Sequence, residues 1–207
     1  MEDFERFGET QLDVLREIGN IGAGHAATAL SGLLGRAVNM EVPKVRLVPF
    51  DQVAEQVGGA EAVVAAIFLS VKGDVSGNLF LLMSVDAAKQ CLKEMTHAEP
   101  AEGLHFSEME ISALSEIGNI LAGSYLSSLA DFVRISLAPT VPGFAVDMAG
   151  AILAYGLLSL EGSGDTALLI ETSFLNGMNR FEGHLLLIPD PESLSRIFAS
   201  LGVPPYE

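Results

Sequence analysis

Cysteine occurs once in these 207 residues, at Cys91. No internal disulfide can form, and a reducing compartment is the natural setting. A lone cysteine reads as a small buried hydrophobe. Long apolar runs are also missing. The most apolar stretch, 148–160, is too short to span a bilayer and contains Gly150 and Gly156. The N-terminal MEDFERFGET is acidic and lacks an apolar core, so it does not read as a secretory signal, and a cytoplasmic protein is expected. Positive charge is scarce: 11 Lys and Arg stand against 27 Asp and Glu, for a formal net charge of −16. That balance disfavours nucleic acid and anionic membrane as partners and suits a protein surface carrying positive charge. The four histidines, His25, His97, His105 and His184, are scattered without ligand spacing, so no metal site is expected in this chain.

What is present is an apolar, globular composition, 49% apolar and 18% charged. A single body of this length buries roughly 70% of its unfolded surface and needs no staple. Within it an octapeptide recurs: EIGNIGAG at 17–24 and EIGNILAG at 116–123. Glycines at such spacing suggest a phosphate-cradling loop, but the second copy puts Leu121 where the first has Gly22, and a tight glycine turn does not accept that exchange. Something other than glycine backbone geometry is repeated.

The repeat reaches further. At the same offset Leu15 matches Leu114, Leu30 matches Leu129 and Pro43 matches Pro142. GNLFLLM at 77–83 resembles GHLLLIP at 183–189, and amphipathic segments follow at 86–95 and 191–201. Two copies are too few for a solenoid. The expectation is a single domain over 1–207, with internal repeats at about 8–95 and 107–201 joined by a polar linker at about 96–104. Long helices are predicted over 10–34 and 107–132. Ser107 and Glu110 have capping-box spacing at the start of the second, with Phe106 and Ile111 placed as a hydrophobic staple. Strands are predicted over 42–48, 63–71, 78–83, 166–172 and 183–188; the segment 143–154 reads equally as helix or buried strand. The fold class is therefore α+β: a pseudo-two-fold duplicated domain with a largely antiparallel sheet, two long motif-bearing helices and shorter helices.

At about 100° per residue, Asp13, Glu17, Asn20 and Gly24 share one narrow face of the first helix. Leu15, Ile18, Gly22, Ala26, Leu30 and Leu33 form the opposite, core-facing stripe. The second copy keeps this register, with Ser112, Glu116, Asn119 and Gly123 outward and Leu114, Ile117, Leu121, Tyr125 and Leu129 inward. The Gly22/Leu121 exchange thus falls on the buried side. What is repeated is an exposed carboxylate and carboxamide one turn apart. Glycine inside a helix costs about 1 kcal/mol relative to alanine. Gly19 and Gly118 are expected to allow tight helix packing, whereas Gly24 and Gly123 are expected to give a partner close access. An Asn amide cannot act as a general base, but it orients a water by donating and accepting hydrogen bonds together. That is the help phosphoryl hydrolysis needs. The Glu is a ready partner for a lysine on another protein.

The pattern Asp13-x-x-x-Glu17-x-x-Asn20, repeated as Ser112-x-x-x-Glu116-x-x-Asn119, resembles the [DS]xxxExxN motif of the CheC/CheX/FliY family of phosphatases. These act on the phosphorylated chemotaxis response regulator CheY. The resemblance runs through PGFAVDMAGAILA at 142–154 to LIPDPESLSRIF near the C-terminus. Within the family, two motifs per chain favour the CheC branch over CheX, whose members carry one. FliY adds a flagellar-switch domain for which no room is expected here. The resemblance implies that Asn20 and Asn119 position the attacking water and that Glu17 and Glu116 engage the active-site lysine of CheY. It implies supporting roles for Asp13 and Ser112, and a Mg²⁺ held by the regulator. It also implies a second partner, the receptor deamidase CheD, bound through the segment around Asp147. A monomer is expected, because one chain carries both motifs. The alternative is an adaptor, gated by phosphorylated CheY, that mainly sequesters CheD.

Overall fold

A computed structural model describes residues 9–96, 99–158, 166–176 and 179–200. In chain order the elements are α1 (Glu9–Leu34), β1 (Asn39–Pro49), a 3-10 turn (Phe50–Gln52), α2 (Val53–Gln56), β2 (Val63–Gly73), β3 (Gly77–Ser84) and α3 (Val85–Thr96). There follow α4 (Glu108–Val133), β4 (Leu137–Pro139), β5 (Gly143–Met148), α5 (Ala149–Leu158), β6 (Thr166–Asn176), β7 (Asn179–Pro189) and α6 (Pro191–Ser200). All the strands join one antiparallel sheet in the order β1-β6-β7-β3-β2-β4, and β5 pairs with β2 beside β4.

Period-two alternation sends the strand side chains to two separate cores. Ala65, Ile67, Leu69 and Val71 of β2, with Leu79, Leu81 and Met83 of β3, pack beneath the two long helices, together with Cys91 of α3 and Ile197 of α6. Val64, Ala66, Phe80, Leu82, Leu186 and Ile188 point to the other face, where Val53 of α2 and Ile152 and Leu153 of α5 cover them. A sheet covered on both faces explains why β2, β3 and β7 read as unbroken apolar runs.

The connections follow a regular scheme. Each half of the chain runs long helix, strand region (β1 in the first half, β4 and β5 in the second), short helix, two-stranded hairpin, helix. The strand region after each long helix leaves its own hairpin and pairs with that of the other half: β1 lies on β6, and β4 and β5 lie on β2. Between the hairpins β3 pairs with β7. There Phe80 faces Leu186, each three residues beyond the glycine that opens its matching segment, and Leu79↔Leu187 and Leu81↔Leu185 flank that pair evenly.

Local chemistry sets the helix ends. The Ser107 side chain accepts from the Glu110 N–H at 3.3 Å and the Ser107 N–H donates to Glu110 Oε2 at 2.6 Å, the expected capping box. Phe106 also packs edge-on against Phe144 at 5.3 Å. Lys89 of α3 donates to the carbonyls of Ala101 and Gly103, and the Ala101 N–H donates to Glu110 Oε1, which ties the linker down before α4 begins.

The polar linker lies between α3, which ends at Thr96, and α4, which begins at Glu108; its residues 97–98 lie outside the described residues. Two expectations change. The ambiguous 143–154 segment is both things in turn, strand to Met148 and helix from Ala149. Leu33, placed on the core stripe, is 55% exposed. Its angle around α1 is right, but it lies in the last turn, and Gly35 reverses the chain just beyond (φ 65°).

Candidate functional site

The core stripe of each long helix fixes which face looks outward. Leu15, Ile18, Gly22, Ala26 and Leu30 of α1 are buried, as are Leu114, Ile117, Leu121, Tyr125 and Leu129 of α4. Asp13, Glu17, Asn20 and Gly24 are consequently exposed on α1, and Ser112, Glu116 and Asn119 on α4. The glycines divide into two kinds. A β-carbon on Gly19 would come 3.2 Å from Val42 Cγ1, and one on Gly118 would come 2.4 Å from Ile67 Cγ2, so both allow a helix to lie close on the sheet. A β-carbon on Gly24 or Gly123 would meet nothing within 4 Å. Each motif therefore ends in an open, low patch of helix.

The two long helices pack against each other, and His25 Nδ1 of α1 lies 3.4 Å from Ser128 Oγ of α4. Gly22 abuts Tyr125, while Ile18 and Gly19 line the same small cavity as Leu126 and Leu129. Each motif occupies the first half of its own helix and lies on that helix's outward face.

The two faces differ in detail. Asp13 pairs with Arg16 at 2.9 Å on α1, and the matching position on α4 is Ser115. Asn20 Oδ1 accepts the Val42 N–H at 3.2 Å. Among the described residues, no group is bonded to the side chain of Asn119. Ile21, beside Asn20, is an exposed apolar residue. Sequence reasoning identified the outward residues from their periodicity. It missed the Val42 contact, because no local signal connects position 20 with position 42.

Asp147 stands on neither motif helix. It is exposed on β5 opposite Val64, and its Oδ1 accepts the Met148 N–H at 2.7 Å. Val63, Met148 and Tyr155 are exposed large hydrophobic residues of β2, β5 and α5, and Val63 pairs directly with Met148. Among the described residues no group of three His, Cys, Asp or Glu side chains is arranged to hold a metal ion, and no helix is long and apolar enough to cross a membrane.

An antiparallel sheet covered on both faces, with two long helices on one of them, is a fold shared with solved FliY and CheX structures. The chain superposes on the crystal structure of Thermotoga maritima FliY with a TM-score of 0.74 at 19% identity, covering 95% of this chain and 98% of that one. It matches a chain of the CheX-CheY-BeF3-Mg²⁺ complex from Borrelia burgdorferi with a TM-score of 0.51 at 19% identity, covering 82% and 96%. At these identities the likeness is one of fold. In sequence, the model of the CheC-like family matches residues 11–46 and 109–146, each stretch a long helix with the start of the strand region after it. The CheY-P phosphatase CheC of Bacillus subtilis (strain 168) is 41% identical over 206 residues, 98% of this chain and 99% of that protein. The chain belongs to the CheC-like family.

Proposed function

We propose that this chain is a phosphatase of the phosphorylated response regulator CheY, working through two helix faces. The observation that carries the reading is the pair of exposed Glu/Asn faces, each ending at a glycine with open space above it. The name of the Bacillus subtilis relative and the likeness to a chain from a CheX-CheY complex support the choice of substrate.

An aspartyl phosphate is hydrolysed when a water oxygen attacks phosphorus in line with the bond to the carboxylate. The P–O bond to the aspartate breaks, the carboxylate leaves, and the proton of the water goes to inorganic phosphate. This chemistry needs positioning and charge stabilisation, not a strong base. Asn20 and Asn119 hold the water through their carboxamides, Glu17 and Glu116 pair with the active-site lysine of CheY, and Asp13 and Ser112 support the face. The regulator holds the Mg²⁺. Gly24 and Gly123 let the helix backbone come close to the regulator surface.

Asp147, exposed beside Val63, Met148 and Tyr155, is the proposed contact for CheD. That apolar-rimmed carboxylate also favours the second reading, an adaptor gated by phosphorylated CheY whose main output is sequestering CheD. The matching order of elements in the two halves supports an internal duplication within one domain. The decisive experiment follows the decay of phosphorylated CheY with Mg²⁺ in the presence of wild type, Asn20→Ala, Asn119→Ala and the double variant. Acceleration that is lost only in the double variant is expected. No acceleration by wild type, even with CheD added, would leave the adaptor.

A further inference from the structure

Asn20 and Asn119 share a motif position but not a setting, and the cause lies in the strands beneath them. In the β1–β6 ladder Glu41 faces Ser173 and Lys44 faces Glu171, so Val42 and Pro43 together stand against the single residue Thr172. This is a β-bulge, which disrupts the local ladder and re-aims the backbone. The Val42 N–H turns to α1, where Asn20 Oδ1 accepts it. Gly19, bare of a side chain, lets Val42 come this near. In the second half the matching stretch is a break between β4 and β5. Thr140 there is engaged with Ser70, by Thr140 N–H to the Ser70 carbonyl and by Ser70 N–H to Thr140 Oγ1. Val141 is 89% exposed, and Asn119 has no bonded neighbour among the described residues.

We infer that the Val42 amide is the positioning group of the first face: it presets the Asn20 carboxamide with its amino end outward, whereas Asn119 is ordered only when the regulator docks. An N–H is a donor, so the atom facing it must be the carboxamide oxygen, and the Nδ2 hydrogens are left without a protein partner on the exposed side. The first face therefore offers a fixed donor to the water or to a phosphoryl oxygen. The second offers an oxygen or an amino group, according to how its amide turns. A preset group acts without being ordered at the moment of reaction, and misplacing such a group lowers turnover more than binding.

The catalytic part of this inference rests on the phosphatase reading, so the test has two independent readouts. Side-chain amide NMR relaxation reports order at each Asn without any turnover. The Asn20 NH2 pair is expected to be as rigid as the backbone and the Asn119 pair to be mobile. Val42→Pro removes the donor and is expected to mobilise Asn20. Gly19→Ala, which crowds Val42 while keeping its N–H, is expected to do the same to a smaller degree and serves if Val42→Pro does not fold. For turnover, each face is measured alone. With Asn119→Ala in place, Val42→Pro is expected to lower kcat about tenfold with KM little changed. With Asn20→Ala in place, Val141→Pro is expected to change neither. Equal mobility of the two amides in wild type overturns the inference, as does release of Asn20 with no loss of kcat at the first face. Absence of phosphatase activity in wild type overturns the catalytic part, and the tether then stands or falls by the relaxation data.

Discussion

Gly22 of α1 lies against Tyr125 of α4: a β-carbon on Gly22 would sit 3.0 Å from both Tyr125 Cα and Tyr125 Cδ1. In the repeat, Gly22 corresponds to Leu121 and Tyr125 to Ala26, and both of these are buried. At both of these repeat positions α1 carries the small residue and α4 the large one, and at Gly22 the small residue makes room for Tyr125. Gly22→Leu, which copies the second repeat into the first, is expected to overpack this contact and destabilise by about 3 kcal/mol. Tyr125→Ala is expected to recover part of that loss in the double variant. Denaturant midpoints of the three variants check this, and additive losses would contradict the contact.

The capping box of α4 makes a pH prediction. The Ser107 backbone N–H bonded to Glu110 holds that carboxyl below its ordinary 4.5, helped by the Ala101 N–H, the Ser107 hydroxyl and the nearby charge of Lys89, against a smaller opposing effect of burial. A carboxyl lowered on folding contributes stability that is present above the unfolded value and is lost as the pH falls through the lower folded value. Ser107→Ala is expected to cost about 1 kcal/mol at pH 7. The difference in Tm between wild type and Glu110→Gln should shrink as the pH drops below 4.5. A difference that stays constant down to pH 2 would refute the assignment.

Cys91 should be inert in the native protein. The residue is 2% exposed, and burial, with the charge of Glu94, pushes its thiol up to about 12. Only the thiolate reacts with alkylating reagents. Iodoacetamide at pH 8 is expected to label Cys91 only after denaturant is added. Rapid native labelling, read by mass spectrometry, would show that α3 opens readily.

Asp147→Lys is expected to abolish CheD binding in a pull-down or calorimetric titration and to leave the decay of phosphorylated CheY unchanged. Intact binding would remove Asp147 from that interface. Loss of both activities would mean that the β5 surface and the helix faces are not independent.

The parts of this structure that were legible in the sequence are those set by local periodicity. The long helices, the inward stripe, the outward Glu and Asn, and most strands follow from which residues repeat every 3.6 or every second position. The helical wheel misplaces Leu33 because it gives an angle and not a height along the axis, and height is what exposes the last turn. The 143–154 segment was ambiguous because its apolar run contains a strand and a helix end to end, and periodicity cannot divide so short a stretch. The Asn20–Val42 tether was hidden for another reason. It depends on a bulge, and a bulge exists only relative to the strand across the ladder.

The exchange of strands between the hairpins also bears on how the chain comes apart. β1 is held by β6 and β5 by β2, so the halves clasp one another and do not sit side by side. A fragment cut between α3 and α4 would carry a hairpin missing its outer strand and an outer strand missing its hairpin. Only a complementary piece, or a second copy of the same fragment, would supply what is missing. Melting one half exposes the open edge of the other, which couples the two motif faces to a single cooperative unfolding transition.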